Sequence, residues 1–199
     1  TRRTGDYFTM RAAAAAAAAH PGLWQVCSQR IATPLGPMLA VADERGLVLC
    51  EFHDRPMLPE QLRRVQSICG AMPEEGAHEV LDQTRRELDE YFLGKRDAFT
   101  IPVVLDGTPF QGSVWRALLE IPFGRTTSYD EIATRVGRPG AARAVGRANG
   151  DNRIAIIVPC HRVINADGTL SGYGGGKRRK KWLLAHERRG VQLELLGEP

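Results

Sequence analysis

Apolar and turn-forming residues alternate along the first half of the chain in the manner of short strands. Residues 31–53 contain two apolar runs, and the hairpin-turn sequence Asp-Glu-Arg-Gly at residues 43–46 separates them. Further along, apolar residues recur at helical spacing from His78 to Leu93, and Gly94 follows them. The pattern predicts that residues 23–106 form an α+β domain, in which an amphipathic helix covers a small antiparallel sheet.

The second half, residues 107–190, replaces this pattern with short helical segments separated by proline and glycine. Thr108-Pro109 has the composition of a helix start, and the helical periodicity stops at Ile121-Pro122. A basic run from Lys177 to Lys181 leads into a closing helix. We therefore expect a mostly helical C-terminal domain.

Two short helices with a tight turn between them lie near the middle of this half. Ser128 is suited to cap a helix from Tyr129 to Val136, and a second helix is predicted from Ala141 to Asn149. The sequence Gly-Arg-Pro-Gly at residues 137–140 supplies the turn between them. Helix, tight turn, helix is the helix-turn-helix pattern of many DNA-binding proteins.

Composition adds expectations about the ends of the chain. The chain has 199 residues, of which 43% are apolar, enough to bury one sizeable core or two small ones. Residues 1–22 are of low complexity and begin at Thr1, so we expect a tail from a tag, a trimmed end or a longer polypeptide. Residues 191–199 are expected to form a second tail. No apolar run is long enough to span a bilayer, which favours a cytoplasmic, nucleoid-associated protein without a membrane partner.

Charge is distributed unevenly between the two halves. Residues 1–106 contain 12 Lys and Arg against 15 Asp and Glu, whereas residues 107–199 contain 15 against 8. A basic half attached to an acidic half suggests a polyanionic partner such as nucleic acid, although ordinary solvated surfaces also carry modest excesses.

The chain has 4 cysteines, with no CxxC pair and no regular spacing, which argues against a disulfide framework and a zinc ribbon. Cys50 and His53, together with Cys27, are the one candidate set of metal ligands. A strand would point residues 50 and 53 to opposite faces, so buried or incidental thiols in a reducing compartment are the preferred interpretation.

Cys160 is the candidate nucleophile. The apolar run at residues 154–158 ends at Pro159, where the chain must turn, and a thiol then lies beside the imidazole of His161. A nucleophilic cysteine needs a base or a cation nearby. Neighbouring side chains of an extended chain point apart, so His161 acts on Cys160 only if the backbone turns or a water molecule bridges them. A core cysteine beside a surface histidine is the alternative.

The second helix of the predicted helix-turn-helix is made almost entirely of small residues. Residues 141–150 offer few side chains able to read base edges in a major groove, but they permit close backbone approach to a minor groove. Arg143 is long enough to enter the base stack in place of an extruded nucleotide. A Gly/Ala-rich packing helix is the alternative.

Several sequence blocks, in the same order and spacing, resemble those of the O6-alkylguanine-DNA alkyltransferases, most closely the bacterial form. The blocks are Thr33-Pro34-Leu35-Gly36, Pro109-Phe110-Gln111, Ala141-Ala142-Arg143-Ala144-Val145-Gly146, Asn149-Gly150-Asp151-Asn152, Pro159-Cys160-His161-Arg162-Val163 and Ser171-Gly172-Tyr173-Gly174-Gly175-Gly176. The likeness runs from about Thr33 to Glu187.

The resemblance implies DNA repair by direct reversal. An alkyl group would move irreversibly from O6-alkylguanine in double-stranded DNA to Cys160, once per molecule, after the base is flipped out. O4-alkylthymine is a second candidate substrate. The implied protein is a monomer that needs no cofactor, and whether it binds DNA cooperatively stays open.

The resemblance also assigns roles to individual residues. His161, held by Glu187, would take the thiol proton through water, and Tyr129 would donate a proton to the departing guanine. The implied DNA contacts are Arg143, Tyr129, Ala142, Gly146 and Arg147. Asn152 would tie the helix-turn-helix to the turn that carries the nucleophile. The implied substrate pocket comprises Asn152, Val163, Tyr173, Gly174 and Gly175.

Two departures from the family pattern affect these expectations. Many relatives have proline after the hinge asparagine, and Arg153 stands there in this chain, which we expect to loosen the turn and to add a cation near the phosphate backbone. The zinc-binding positions of some animal relatives correspond here to residues such as Trp24, Asp43 and Val48, so no metal is expected.

Other interpretations of the same motifs stay open at this point. A non-catalytic protein that binds alkylated DNA would have another residue at the position of Cys160. A thiol hydrolase with a Cys-His-Glu triad would not explain Arg143 or the basic half. A regulator that uses the helix-turn-helix would need base-reading side chains on its second helix.

Overall fold

The computed structural model describes residues 25–196, with side chains up to residue 190. The expected tail at residues 1–22 lies outside the described residues. The closing helix α6 (Lys177–Leu196) continues past residue 190, where we expected the second tail to begin, so most of residues 191–199 extend a helix instead.

A four-stranded sheet forms the centre of the N-terminal half, with the strand order β3-β2-β1-β4. The strands are β1 (Cys27–Ile31), β2 (Met38–Asp43), β3 (Gly46–Phe52) and β4 (Glu74–Glu75). Strands β2 and β3 form the predicted antiparallel hairpin. Strand β1, which was not predicted, pairs antiparallel with β2, and the short β4 joins β1 in parallel. The β2–β3 turn lies at the predicted position, where the carboxylate of Asp43 accepts a hydrogen bond from the backbone of Arg45 at 2.9 Å.

A helix packs on each face of this sheet. The predicted covering helix is present as α2 (Glu79–Phe92), and the side chain of His78 caps its first turn. The opposite face is covered by α1 (Leu58–Cys69), which the sequence analysis did not predict. Leu58, Val65 and Cys69 of α1 pack against apolar side chains of β2 and β3.

The C-terminal half is mostly helical, as predicted. Its first helices are α3 (Pro109–Leu119), α4 (Tyr129–Arg135) and α5 (Ala142–Gly150). Capping boxes fix the start of α3, through Thr108 and Gln111, and the start of α4, through Ser128 and Glu131. Helices α4 and α5 with their connecting turn form the helix-turn-helix.

Two connections tie the helix-turn-helix to the rest of the molecule. A parallel pair, β5 (Thr127–Ser128) with β6 (Val163–Ile164), joins the start of α4 to the segment that follows Cys160. After α5, the chain pairs with β3, since Cys50 donates to the carbonyl of Arg153 at 2.9 Å and accepts from the amide of Ala155 at 2.7 Å. The segment leading to the candidate nucleophile is therefore hydrogen-bonded to the N-terminal sheet.

One hydrophobic core includes side chains from both halves. It contains Phe52 and Leu81 from the first half, and Val114, Ile132 and Leu183 from the second. Among the described residues, no helix combines the length and apolar character needed to cross a membrane.

Candidate active site and nucleic-acid interface

Cys160 begins a turn of 3-10 helix, Cys160–Arg162, that follows the buried residues 154–158. The backbone therefore turns between Cys160 and His161, which is one of the two conditions under which the imidazole could act on the thiol. Cys160 is only 5% exposed, and burial raises the pKa of its thiol to about 11. The resting side chain is a protonated thiol, which needs a base before it can act as a nucleophile.

The side chain of Asn152 connects the end of the helix-turn-helix to this thiol. Its amide nitrogen donates to Sγ of Cys160 at 3.1 Å and to the carbonyl of Val158 at 3.0 Å. Its amide oxygen accepts from the backbone of Ile154 at 3.0 Å. Asn149, which sequence reasoning did not assign to the site, donates to the carbonyl of Cys160 at 3.2 Å. The two asparagines hold the turn by its backbone and its sulfur.

His161 and Glu187 form a buried pair behind the thiol. Nε2 of His161 lies 2.8 Å from a carboxylate oxygen of Glu187, and neither residue is exposed. Burial lowers the pKa of His161, so the imidazole is neutral at physiological pH. Its Nδ1 is buried and bonds no protein group within the described residues, which leaves this nitrogen able to accept a proton.

Glu187 accepts hydrogen bonds from several further donors. Tyr91 of α2 donates its hydroxyl at 2.9 Å, Arg162 donates at 3.0 and 3.1 Å, and the backbone of Gly124 donates at 3.1 Å. Burial alone would raise the pKa of this carboxyl. The hydrogen bonds and charges of Arg162 and of His161, which is protonated at the low pH where the carboxyl titrates, outweigh burial and lower the pKa to about 2. Glu187 is therefore a permanent anion beside the imidazole.

Tyr91 and Arg162 were not predicted to be site residues. Arg162 lies within the recognised block around Cys160, but Tyr91 contributes only an apolar position to a helical pattern in the sequence. Its contact with Glu187 joins residues 96 positions apart in the chain, and local periodicity does not report such contacts.

Tyr129 lies at the start of α4, where its hydroxyl is 2.6 Å from Oγ of Ser171. Nζ of Lys180 donates to the same Oγ at 2.9 Å and to the carbonyl of Val163. Lys180 is fully buried, and burial lowers the pKa of its amine to about 8. Ser171 lies in a recognised sequence block but was given no role. Lys180 was missed because a lysine in a basic run normally indicates solvated surface.

Arg143 is exposed on α5, between two grooves. One groove, of about 330 Å³, is lined by Tyr129, Ala142, Arg143 and Gly146 among others. The other, of about 400 Å³, is lined by Thr108, Phe110, Arg143 and Arg147 among others. All the residues proposed for DNA contact therefore border these two grooves.

The loop that contains Tyr173, Gly174 and Gly175 lies against side chains of the N-terminal half. A methyl group on Gly174 would lie 2.5 Å from Cζ of Arg55, and one on Gly175 would lie 2.8 Å from the ring of Phe52. A side chain at Gly174 would therefore displace the guanidinium of Arg55, and one at Gly175 would displace the ring of Phe52. The hydroxyl of Tyr173 is buried and bonds no group in the described part of the chain.

Arg153 does not occupy the place that we expected. Its side chain is buried, donates to the carbonyl of Asp106, and lies 5.5 Å from the ring centre of Trp115. The expectation of a cation near the phosphate backbone is wrong, because the aliphatic part of the side chain packs inward and the guanidinium bonds a carbonyl of the connecting segment.

The fold and site together define a protein in which a buried thiol, with an imidazole and a carboxylate behind it, lies next to a helix-turn-helix. Comparison with known families agrees with this description. Residues 28–105 match the ribonuclease-like domain of 6-O-methylguanine DNA methyltransferase, and residues 109–189 match its DNA binding domain.

Individual relatives extend along most of the chain. A methylated-DNA–protein-cysteine methyltransferase of Salmonella typhimurium is 44% identical over 170 residues, covering 82% of this chain and 96% of the relative. That of Mycobacterium leprae is 47% identical over 163 residues, covering 82% and 93%. The crystal structure of the Mycobacterium tuberculosis O6-methylguanine methyltransferase aligns with a TM-score of 0.70 at 44% identity, covering 82% and 93%.

A second structure of the Mycobacterium tuberculosis protein, in complex with DNA, aligns with a TM-score of 0.71 at 43% identity, covering 82% of this chain and 93% of that one. The chain belongs to the 6-O-methylguanine DNA methyltransferase family. Family membership confirms the resemblance identified in the sequence and favours the DNA-repair enzyme over the thiol hydrolase and the non-catalytic binding protein.

Proposed function

We propose that this protein repairs DNA by transferring the alkyl group of O6-alkylguanine to Sγ of Cys160. A new S–C bond forms as the C–O6 bond breaks, and guanine leaves. The observation that carries the proposal is that Cys160 is hydrogen-bonded to Asn149 of α5, while the adjacent His161 is paired with Glu187 of α6. Because the thioether has no route back to a thiol at this site, each molecule acts once.

Activation of the thiol requires a base, since burial holds the pKa of Cys160 far above neutrality. Neutral His161 takes the proton on Nδ1 through a bridging water molecule. The resulting imidazolium is stabilised by Glu187, whose charge is fixed by Arg162 and Tyr91. The hydrogen bond from Asn152 stabilises the thiolate as it forms.

Double-stranded DNA lies against α5, with its minor groove facing the small residues Ala142 and Gly146. Arg143 enters the stack in place of the extruded nucleotide, and Arg147 neutralises phosphate charge. The exposed positions of both arginines on α5 support these roles.

The hydrogen bonds around Tyr129 fit a donor to the departing guanine. The Lys180 ammonium can only donate to Ser171, so the hydroxyl proton of Ser171 is free to point to Tyr129. The phenol proton is then available to the base. Val163, Tyr173, Gly174 and Gly175 line the pocket that receives the base.

The proposed chemistry needs no cofactor, because side chains supply the nucleophile, the base and the proton donor. We further propose that the protein acts as a monomer on chromosomal DNA in the cytoplasm, and that O4-alkylthymine is a second substrate.

Intact-mass measurement tests the proposal. The protein is mixed with one equivalent of an oligonucleotide duplex that carries a single O6-methylguanine, and peptide mapping then locates the added group. We expect one methyl group per molecule, at Cys160, and no activity in a second round, whereas the Cys160→Ser control gains no mass. Catalytic turnover, or labelling at Cys27, Cys50 or Cys69, would refute the proposal.

A further inference from the structure

Arg55 brings a charge from the N-terminal half into the centre of the site. It lies in the turn between β3 and α1 and is 7% exposed. Its Nη2 donates to the carbonyl of Gly150 at 2.6 Å, and its Nη1 donates to the carbonyl of Asn152 at 3.1 Å. Gly150 is the last residue of α5, where a cation is favoured by the helix dipole and satisfies a carbonyl that lacks a helical partner.

The second of these bonds leads directly to the nucleophile. Arg55 holds the backbone of Asn152, and the side chain of Asn152 donates to Sγ of Cys160 at 3.1 Å. Gln61 of α1 also reaches the carbonyl of Asn152, at 3.4 Å. The position of the amide group that faces the sulfur therefore depends on side chains of the N-terminal half.

The guanidinium of Arg55 is fixed from two further directions. Glu51, at the end of β3, is fully buried, forms an ion pair with Nη1 of Arg55, and accepts from the backbone of Phe52 at 2.9 Å. On the other side, the backbone of Gly174 approaches so closely that a methyl group there would meet Cζ of Arg55 at 2.5 Å. The guanidinium of Arg55 thus contacts Gly150 at the end of α5, the backbone of Asn152, and Gly174.

We propose that Arg55, oriented by Glu51, is a positioning residue for alkyl transfer. Through it, the N-terminal half sets the relative placement of α5, Asn152 and the loop that contains Gly174. The inference rests on the proposed function and adds to it a requirement that lies outside the helix-turn-helix and the Cys-His-Glu group. Arg55 bonds the backbone of Asn152 and packs against Gly174, so its positioning effect passes through these two residues.

The test measures the single-turnover rate of transfer from free O6-benzylguanine and from an O6-methylguanine duplex. Arg55→Ala should slow both reactions by a similar factor, about tenfold to a hundredfold, the range expected when a buried hydrogen bond from a charged donor is lost. Affinity for undamaged DNA should change less than the rate, since the exposed arginines of α5 remain. Arg64→Ala is the matched control, because Arg64 also reaches across to the C-terminal half, at 3.9 Å from Asp151, but bonds no site residue.

Two further measurements separate positioning from simple support of the fold. Guanidinium chloride at millimolar concentration, far below denaturing levels, should restore part of the rate of Arg55→Ala and leave Arg64→Ala and the parent unchanged. Arg55→Lys keeps the charge beside Glu51 but lacks the planar fork that reaches two carbonyls, so it should melt near the parent temperature and still react slowly. If Arg55→Ala does not fold, Arg55→Lys decides the outcome.

A folded Arg55→Lys that reacts at the parental rate would overturn the inference, as would a slow Arg55→Ala that guanidinium does not rescue. The parent protein distinguishes this failure from that of the proposed function. A parent that transfers no alkyl group overturns both proposals, whereas an active parent with normal Arg55 variants overturns only this one.

Discussion

Replacing Glu187 with glutamine tests the role of a fixed negative charge behind the imidazole. The amide keeps the shape of the side chain but removes the charge, and it cannot accept from all the donors that now surround the carboxylate. The imidazolium that forms as Cys160 loses its proton would then lack its anion. We expect single-turnover transfer to slow by about 30- to 150-fold, which corresponds to about 2–3 kcal/mol for a hydrogen bond between charged groups.

The same substitution has a separate effect on stability. The lowered pKa of Glu187 means that the ionised carboxylate is more stable in the folded protein than in the unfolded chain at neutral pH. Because the folded-state pKa is the lower one, this contribution is complete above about pH 5 and disappears as the pH falls toward 2. Glu187→Gln should therefore lower the free energy of unfolding at pH 7 and weaken its dependence on acid.

Quenched-flow transfer from an O6-methylguanine duplex, combined with denaturant unfolding and DNA binding, separates the two effects. Tyr91→Phe is the control, since it removes one neutral donor from Glu187 and keeps the charge, so its rate should fall by less than about tenfold. Affinity for DNA should stay near the parental value in both variants. A folded Glu187→Gln with the parental rate would refute the reasoning, and equal losses in both variants would assign the effect to packing between α2 and α6.

The remaining predictions concern contact with DNA. Arg143→Ala should impair transfer from duplex DNA far more than transfer from free O6-benzylguanine, because only in the duplex must a side chain fill the space left by the extruded base. Equal losses in the two rates would mean that Arg143 supports the fold or the pocket. The logarithm of the affinity for duplex DNA should fall linearly with the logarithm of salt concentration, by about 0.9 for each phosphate neutralised. The Arg147→Ala variant should show a slope smaller by about one phosphate in a fluorescence titration, and binding that does not depend on salt would contradict the proposed interface.

The parts of the fold that the sequence predicted well are those with strong local signals. The starts of α3 and α4 are marked by Thr108 and Ser128, each followed by a partner that completes a capping box, and both helices begin as predicted. Helix α1 was missed although Leu58, Leu62, Val65 and Cys69 recur at helical spacing. Pro59 lies in the first turn of this helix, where proline is tolerated, so it does not interrupt the pattern.

The site residues that lie in recognised sequence blocks were predicted, whereas most of the polar residues packed around them were not. Cys160, His161, Glu187 and Asn152 lie together as the resemblance implied, because the blocks that carry them keep the family order. Their roles stay predictions. Arg153 packs inward because the ring of Trp115 and the carbonyl of Asp106 lie within its reach, which composition does not reveal. Buried polar residues such as Lys180 have the same sequence appearance as residues on a solvated surface.

The pairing of Arg153 and Ala155 with Cys50 of β3 has a thermodynamic consequence. The chain divides in sequence between residues 105 and 109, yet separating the two halves would break these backbone hydrogen bonds and expose apolar side chains of their shared core to water. Neither half can lose its structure without withdrawing support from the other. The molecule is therefore expected to melt as one cooperative unit, with a calorimetric enthalpy equal to the van't Hoff enthalpy, despite the boundary visible in its sequence.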